Sequence, residues 1–540
     1  MTLSRKPLVL LFAPFFLLTL ACGQSPDAGD AGDAAGSARG GVTSDLTSDM
    51  TSDLTSDLTS DVTTTDLTSD PGGEVTPPPQ PVFVRPNMKD LAPDGPEIAA
   101  FRNGVKAMRA RPATDPTSWA YQAAIHGTYD PADREAWNTC QHGSYFFFSW
   151  HRMYVYYFER ILRKASGDPN FALPFWDYTD PAQRALPAVL RQPADPAQNP
   201  LFVAERNPPA NGGAQLPASA VAFDRAMAFT NFSSPAGSAL SFGGQTAPGP
   251  QHFDSPHGQL ESQPHDIIHV LVGGSDGWMS DPNTAAQDPV FWLHHANIDR
   301  LWNVWIAKGE GRQNPTGQPW LTQTFVFFDE NGQRVEMTGQ QILDTAQQLN
   351  YRYAEGSGDE PGLQGLGENH PKATFTDNRR DVLVDKAAPT RLTRTRASVS
   401  IQVPAAEPEA VGDENRRLAL IIEGIKFGRP GVYYEVYANL PQGTQPNPSS
   451  PHYVGNIAVF GQLDGGRSAH AGHARGRGQQ EDAALAFEVT ELIERLRGQP
   501  GFTGNLTLQF VPRGMEGGQA RSGAGPVREV RFERIKLVRE

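Results

Sequence analysis

Residues 288–309 read DPVFWLHHANIDRLWNVWIAKG, and their order is that of a capped helix. Asp288 is placed as the N-cap, Pro289 fits the first turn, and Gly309 stands just past the end. Inside that run lies His295, preceded by His294. The question this helix raises is what an imidazole faces from within it.

Three other helical stretches carry histidines in comparable positions. Residues 144–167, SYFFFSWHRMYVYYFERILRKASG, predict an entirely buried helix ending near Gly167, with His151 inside it and His142 just before it. Residues 263–274, QPHDIIHVLVGG, predict a helix stopped by Gly273 and Gly274, and His265 and His269, four apart, share one of its faces. His126 closes the segment WAYQAAIHG. A further helix is expected after Pro96, within 82–110. Helices that each lend imidazoles toward one interior are how bundles build metal sites. Di-iron bundles use Glu with Glu-x-x-His, which is missing here, and a mononuclear zinc site takes three protein ligands rather than six. All-imidazole coordination of two metals suits copper.

The rest of the 540 residues frames this part. Residues 1–22 read as a lipoprotein-type signal peptide: Arg5 and Lys6, an apolar stretch too short for a good membrane span, then LAC ending at lipidated Cys22. The alternative is an ordinary cleaved signal and secretion. Residues 23–81 are a disordered Thr/Ser/Asp-rich tether, since the four-residue repeat TSDL has too little apolar content to bury a core. About ten of the net charges of −14 fall in this tether, so the acidity says little about the folded part, and no basic patch points to nucleic acid. From about residue 390, runs such as LALIIEGI, GVYYEVYANL and NLTLQFV, broken by Gly and Pro, predict strands. The expected fold is therefore multidomain: a mainly α four-helix-bundle dicopper domain over 82–375, a linker over 376–398, and an all-β sandwich or barrel over 399–540. The membrane is touched only through Cys22, at the cell envelope of a bacterium, and nothing here sets the oligomeric state.

HGSYFFFSWHRMYVYYFERIL and DPVFWLHHANIDRLW resemble the two copper signatures of the tyrosinase, polyphenol oxidase and molluscan haemocyanin superfamily. LESQPHDIIHVLVGG resembles the segment bearing the first two copper-B ligands. Residues 320–353 and the C-terminal strands resemble plant polyphenol oxidases, so the likeness runs from residue 82 onward. It implies two copper ions, copper A held by His126, His142 and His151, and copper B by His265, His269 and His295. Of the adjacent pair, His294 becomes a packing residue. Phe291 is expected against the ligand rings, and Asp299 either bonds a ligand ring or pairs with Arg300. His252 and His257, in the loop before the site, are read as bystanders. Cys140, in CQH, matches the form in which fungal and molluscan members bond the cysteine through sulfur to the histidine two residues on, here His142; the alternative is a buried free thiol. Glu261 stands where the family has a water-orienting glutamate. Asp266, next to His265, is associated with holding that water and deprotonating monophenols; the alternative is a solvent-facing or Arg-paired carboxylate. Arg85 with Tyr351 and Tyr353 resembles the pair that pins the two ends of the catalytic domain.

The implied activity is oxidation of o-diphenols to o-quinones with dioxygen, with some o-hydroxylation of monophenols. An oxygen carrier and an o-aminophenol oxidase use the same copper site. The C-terminal domain is expected to lie over that site and keep the enzyme latent, with Arg379, Arg380, Arg391, Arg394 and Arg396 marking an exposed, protease-sensitive linker.

Overall fold

The computed structural model describes residues 82–540 except 237, 239, 251, 253–255, 359–379, 405–416, 427, 429, 459, 461–482 and 516–528. The signal peptide, Cys22 and the tether lie outside the described residues.

The catalytic part is built on helices α1 (Pro96–Arg109), α2 (Trp119–His126), α3 (Phe146–Ser166), α4 (Asp266–Gly273) and α5 (Pro289–Ala307). The expected ends hold: Gly167 closes α3 in the left-handed region, at φ 78°. Asp288 caps α5 by accepting from the Val290 N–H at 2.9 Å. The same carboxylate is gripped by Arg206 through two 2.7 Å bonds and is fully buried, so the start of α5 is fixed from both sides. Gly104 lets α1 approach α3 closely, since a Cβ there would sit 2.6 Å from the Leu162 side chain. Among the described residues no helix is long and apolar enough to cross a membrane.

The two ends of the catalytic part meet in a short parallel pair, β1 (Phe83–Arg85) with β4 (Tyr351–Tyr353). Between them lies the hairpin of β2 (Thr324–Phe328) and β3 (Arg334–Thr338). Arg85, completely buried, lies 3.6 Å over the Tyr351 ring and donates to Glu159 at 2.6 Å and to Asp299 at 3.2 Å. Asp299 also accepts from Arg152, Tyr351 and Tyr353 at 2.5, 2.5 and 2.6 Å. Burial alone would raise its carboxyl, but Arg152, Arg85 and the two hydroxyls outweigh that and hold it below the usual carboxylate range. Both expected roles of Asp299 are therefore corrected. It bonds no ligand ring, and Arg300 pairs with Asp177 instead, at 2.8 Å.

Strand β5 (Asp381–Leu392) opens the C-terminal domain, followed by β6 (Ala397–Gln402), β7 (Leu418–Ile425), β8 (Tyr433–Ala438), β9 (Tyr453–Ile457), β10 (Ala483–Glu488), helix α6 (Thr490–Arg497), β11 (Asn505–Arg513) and β12 (Val530–Arg539). Two antiparallel four-stranded sheets form among the described residues, in orders β10-β7-β12-β5 and β6-β11-β8-β9. They share one apolar cluster, with Leu420, Ile422 and Leu537 from the first and Val436, Leu508 and Phe510 from the second.

Three expectations change here. The sheets do not close into a barrel. The domain is not all-β, because Leu492, Ile493 and Leu496 bury one face of α6. Residues 376–398 are not a linker where described: β5 pairs with β12 across most of that stretch. DVLVDKAAPTRL hides its strand because it is an edge, where one side meets water and Pro389 is tolerated. Arg380 pairs with Glu540, and Arg394 reaches Pro430 and Ser275, while Arg379 lies outside the described residues.

Replacing Asp299 by Ala should leave two buried guanidinium groups facing each other. The expected loss is about 3–5 kcal/mol of unfolding free energy, read from denaturant midpoints. A change below about 1 kcal/mol, the scale of an exposed ion pair, would contradict this account of the network.

Candidate metal centre

The helices and the turns before them deliver imidazoles to a common buried interior. His126 is the last residue of α2, His151 lies one turn into α3, His142 precedes α3, His265 immediately precedes α4, His269 lies within α4, and His295 sits in α5. The backbone orients three of the rings. His126 Nδ1 donates to the Pro282 carbonyl at 2.8 Å, His151 Nδ1 to Phe147 at 2.8 Å, and His269 Nδ1 to Met279 at 2.7 Å. His265 Nδ1 donates instead to a carboxylate, Asp266 Oδ1, at 2.9 Å.

With Nδ1 acting as donor, Nε2 carries a bare lone pair. The Nε2 atoms of His126, His151, His265 and His269 are buried and have no hydrogen-bond partner among the described residues, and in His295 neither ring nitrogen has one. Burial drives these imidazoles to the neutral form; His126 is pushed down to about 3. Neutral, inward-facing imidazoles with a bare ring nitrogen could hold a metal ion.

The ligand atoms of His126, His142 and His151 lie within 4.8 Å of one another, and so do those of His265, His269, His294 and His295. The two sets adjoin: the His151 and His295 rings stack with centroids 4.4 Å apart. His294 is the extra member, and its Nδ1 sits 3.0 Å from the Tyr178 hydroxyl. No carboxylate belongs to either set, which favours copper over harder cations.

A family model for the common central domain of tyrosinase matches residues 116–308, and one for the polyphenol oxidase middle domain matches 314–358. A tyrosinase of Hahella sp. (strain CCB-MM4) is 30% identical over 499 residues, covering 82% of this chain and 98% of that protein. The chain belongs to the tyrosinase and polyphenol oxidase family. It is an oxidoreductase, and the family is a type 3 dicopper one that oxidises phenols with dioxygen. The chloroplastic latent form of polyphenol oxidase from Prunus armeniaca is 29% identical over 77% of this chain and 70% of its own length. The fold is that of latent apple tyrosinase, with a TM-score of 0.57 at 23% identity over 86% of this chain and 98% of that one. Residues 373–540 match a domain of unknown function.

Around these triads the residues singled out from the sequence fall as follows. Phe291 packs on His295 at 4.2 Å and on His126 at 4.9 Å. Both oxygens of Glu261 accept from the Gly143 N–H, at 3.0 and 3.1 Å. Burial pushes the Glu261 carboxyl above its ordinary value, against the pull of His257. Cys140 is buried, with Sγ 3.5 Å from His142 Nδ1.

His252 and His257, expected as bystanders, belong to neither histidine set, yet both touch residues beside them. His252 Nδ1 lies 3.2 Å from Cys140 Sγ and 2.9 Å from its carbonyl oxygen, and His257 Nδ1 lies 2.8 Å from Asp266 Oδ2. A four-residue spacing separates His257 from Glu261, which is the only sequence signal that points to it.

Phe460, from the loop after β9, had no signal at all. Its ring stacks on His269 at 3.7 Å with 14° between planes, and lies 5.6 Å from the His265 ring and 5.7 Å from the His142 ring.

Reconstituted full-length protein should hold two copper ions per chain by elemental analysis, and His295→Ala should abolish oxidation. Zinc, or a single copper, in the reconstituted wild type would contradict the assignment. In copper-exposed protein a peptide carrying Cys140 and His142 should be two hydrogens lighter than the sum of its residues, since forming the S–C bond removes one hydrogen from each and sends two electrons to copper and dioxygen. An unmodified mass, with the Cys140 thiol still titratable after denaturation, would refute the link.

Proposed function

We propose that this protein oxidises catechols to o-quinones, hydroxylates monophenols more weakly, and is held latent by its own C-terminal domain. The observation that carries the reading is Phe460: an aromatic ring from the β-domain lies flat on His269, between the two histidine sets. A slot that accepts a phenyl ring in this way suits a planar aromatic substrate, and the same ring excludes that substrate while it remains in place. When bound, the copper pair, held by His126, His142, His151 and by His265, His269, His295, supplies the two-electron exchange between phenol and dioxygen.

The chain's own groups do the rest. The aromatic wall of Phe147, Phe291 and Trp150 keeps the interior dry. His269 offers a ring face for stacking. A catechol loses two protons with its two electrons, and a monophenol must lose its hydroxyl proton before oxygen is inserted. We assign that proton to the Glu261–Asp266 pair, two buried carboxylates that share one neighbour, His257, whose Nδ1 lies 2.8 Å from Asp266 Oδ2 and 3.6 Å from Glu261 Oε1. Glu261→Gln should therefore lower monophenol hydroxylation more than catechol oxidation. Export and lipidation at Cys22 remain part of this proposal.

The latency is testable in the full chain. Phe460→Ala should raise catechol oxidation several-fold without added protease. Unchanged activity would mean that the domain stabilises the core or binds a surface partner rather than covering the site.

A further inference from the structure

Asp266 sits directly after a copper-B histidine, and imidazoles engage both of its oxygens. Oδ1 accepts from His265 Nδ1 at 2.9 Å and Oδ2 from His257 Nδ1 at 2.8 Å. The carboxylate is 1% exposed. His257 lies outside both metal-ligand sets.

His265 differs from its neighbours in the partner that orients it. His126, His151 and His269 are oriented by main-chain carbonyls, which the helices and turns hold rigidly. The partner of His265 is a side chain with two rotatable bonds, and a carboxylate held at one oxygen can swing away from the ring. A second hold removes that freedom. His257 supplies it from the opposite oxygen, at hydrogen-bonding distance, while Glu261 Oε1 stays 3.6 Å from the same nitrogen, beyond a good bond.

The backbone beside His257 is closely packed. A Cβ at Gly258 would fall 2.4 Å from the Gly244 nitrogen and 2.6 Å from the Gly243 carbonyl carbon, so this backbone lies directly on the 243–244 turn. Ser262 adds a bond to the His257 carbonyl.

We infer that His257 is a positioning residue for copper B: it clamps Asp266 so that Asp266 holds the His265 ring with Nε2 toward the metal. This rests on the dicopper reading above. Partners one step removed from the metal typically change metal affinity or activity by about 10- to 100-fold.

The test uses copper-loaded full-length protein and two substitutions. His257→Leu keeps bulk and removes the donor. His257→Asn keeps an N–H near the position of Nδ1. Copper remaining per chain is followed over time under a chelator, by elemental analysis. His257→Leu should lose one of its two coppers about ten-fold or more faster than wild type, with the second lost at the wild-type rate. His257→Asn should restore most of the retention. The metal-free melting temperatures of wild type and the two variants should coincide, which a general packing defect would not allow. Equal chelation rates in wild type and His257→Leu would overturn the inference, as would an Asn variant no better than Leu, or a lowered metal-free melting temperature that tracks the copper loss. Wild type that never holds two coppers would instead bring down the dicopper reading beneath it.

Discussion

The constraint on which this structure depends is that several buried imidazoles must each leave one nitrogen bare. A buried ring nitrogen without a partner costs about 1–3 kcal/mol. Five such Nε2 atoms in the six-histidine set are a concentrated cost that a bound cation would offset. The opposite nitrogens decide which atoms are left bare. Three are tied to carbonyls of Pro282, Phe147 and Met279, so the tautomer of each ring follows from the course of the backbone nearby. The backbone, at Phe147 of α3 and in the turns at Met279 and Pro282, is therefore both a scaffold and the source of the hydrogen bonds that aim these rings. This is also why the ends of α5 and α3 are so firmly fixed: a slip of one residue would rotate a ligand out of the interior by about 100°.

The network behind the centre serves the same constraint from further away. Asp299 lies one turn beyond His295 on α5, and Arg152 follows His151 on α3. The bond between them at 2.5 Å ties together the two helices that contribute the stacked His151 and His295 pair. Arg85 then joins β1 to the same carboxylate, so β1 and both histidine-bearing helices share one buried ionic cluster. A buried ion pair is a weak source of net stability compared with apolar packing, but it has strong geometric preferences. Here those preferences set the register of α3 against α5.

Much of this was legible from the sequence, and the parts that were not share a cause. Caps and breakers are local, so the helix ends at Asp288 and Gly167 could be read directly, while the six histidines came from the family resemblance and fall into two adjoining sets that also include His294. Asp299 was misplaced because its partners, Arg85, Tyr351 and Tyr353, are far away in the chain. Strand β5 was hidden by edge composition, and α6 by a short amphipathic run inside a strand-rich region. His257 carries only its four-residue spacing to Glu261, and Phe460 no pattern of its own. One acts through a carboxylate nine residues on, the other through a ring almost two hundred residues back, and only the folded chain brings either to the site.

The contact between the two domains has two parts of different character, and the difference bears on how a cover can be both secure and removable. One part is apolar: Ala419, Ile421, Ala486, Val538 and Phe460 join the apolar cluster of the helical part. The other is polar. Ser219 bonds Tyr433 and Glu435, Asn456 bonds Ser219 and Gln263, and Gln259 bonds the Ala486 carbonyl, beside a cleft of about 1180 Å³ lined by Arg225, Glu435, Arg495 and Arg513. Separating polar groups exchanges each bond for water at a net cost of about 0.5–1.5 kcal/mol, so this part orients the cover more than it holds it shut. Withdrawing Phe460 exposes one large apolar ring, worth about 1.5–3 kcal/mol, and bares His269 at the same time. On the proposed reading, resistance to opening thus sits in part at the same residue that covers His269. An aromatic substrate that stacks on His269 would replace the same buried contact and so compete for the position that Phe460 occupies.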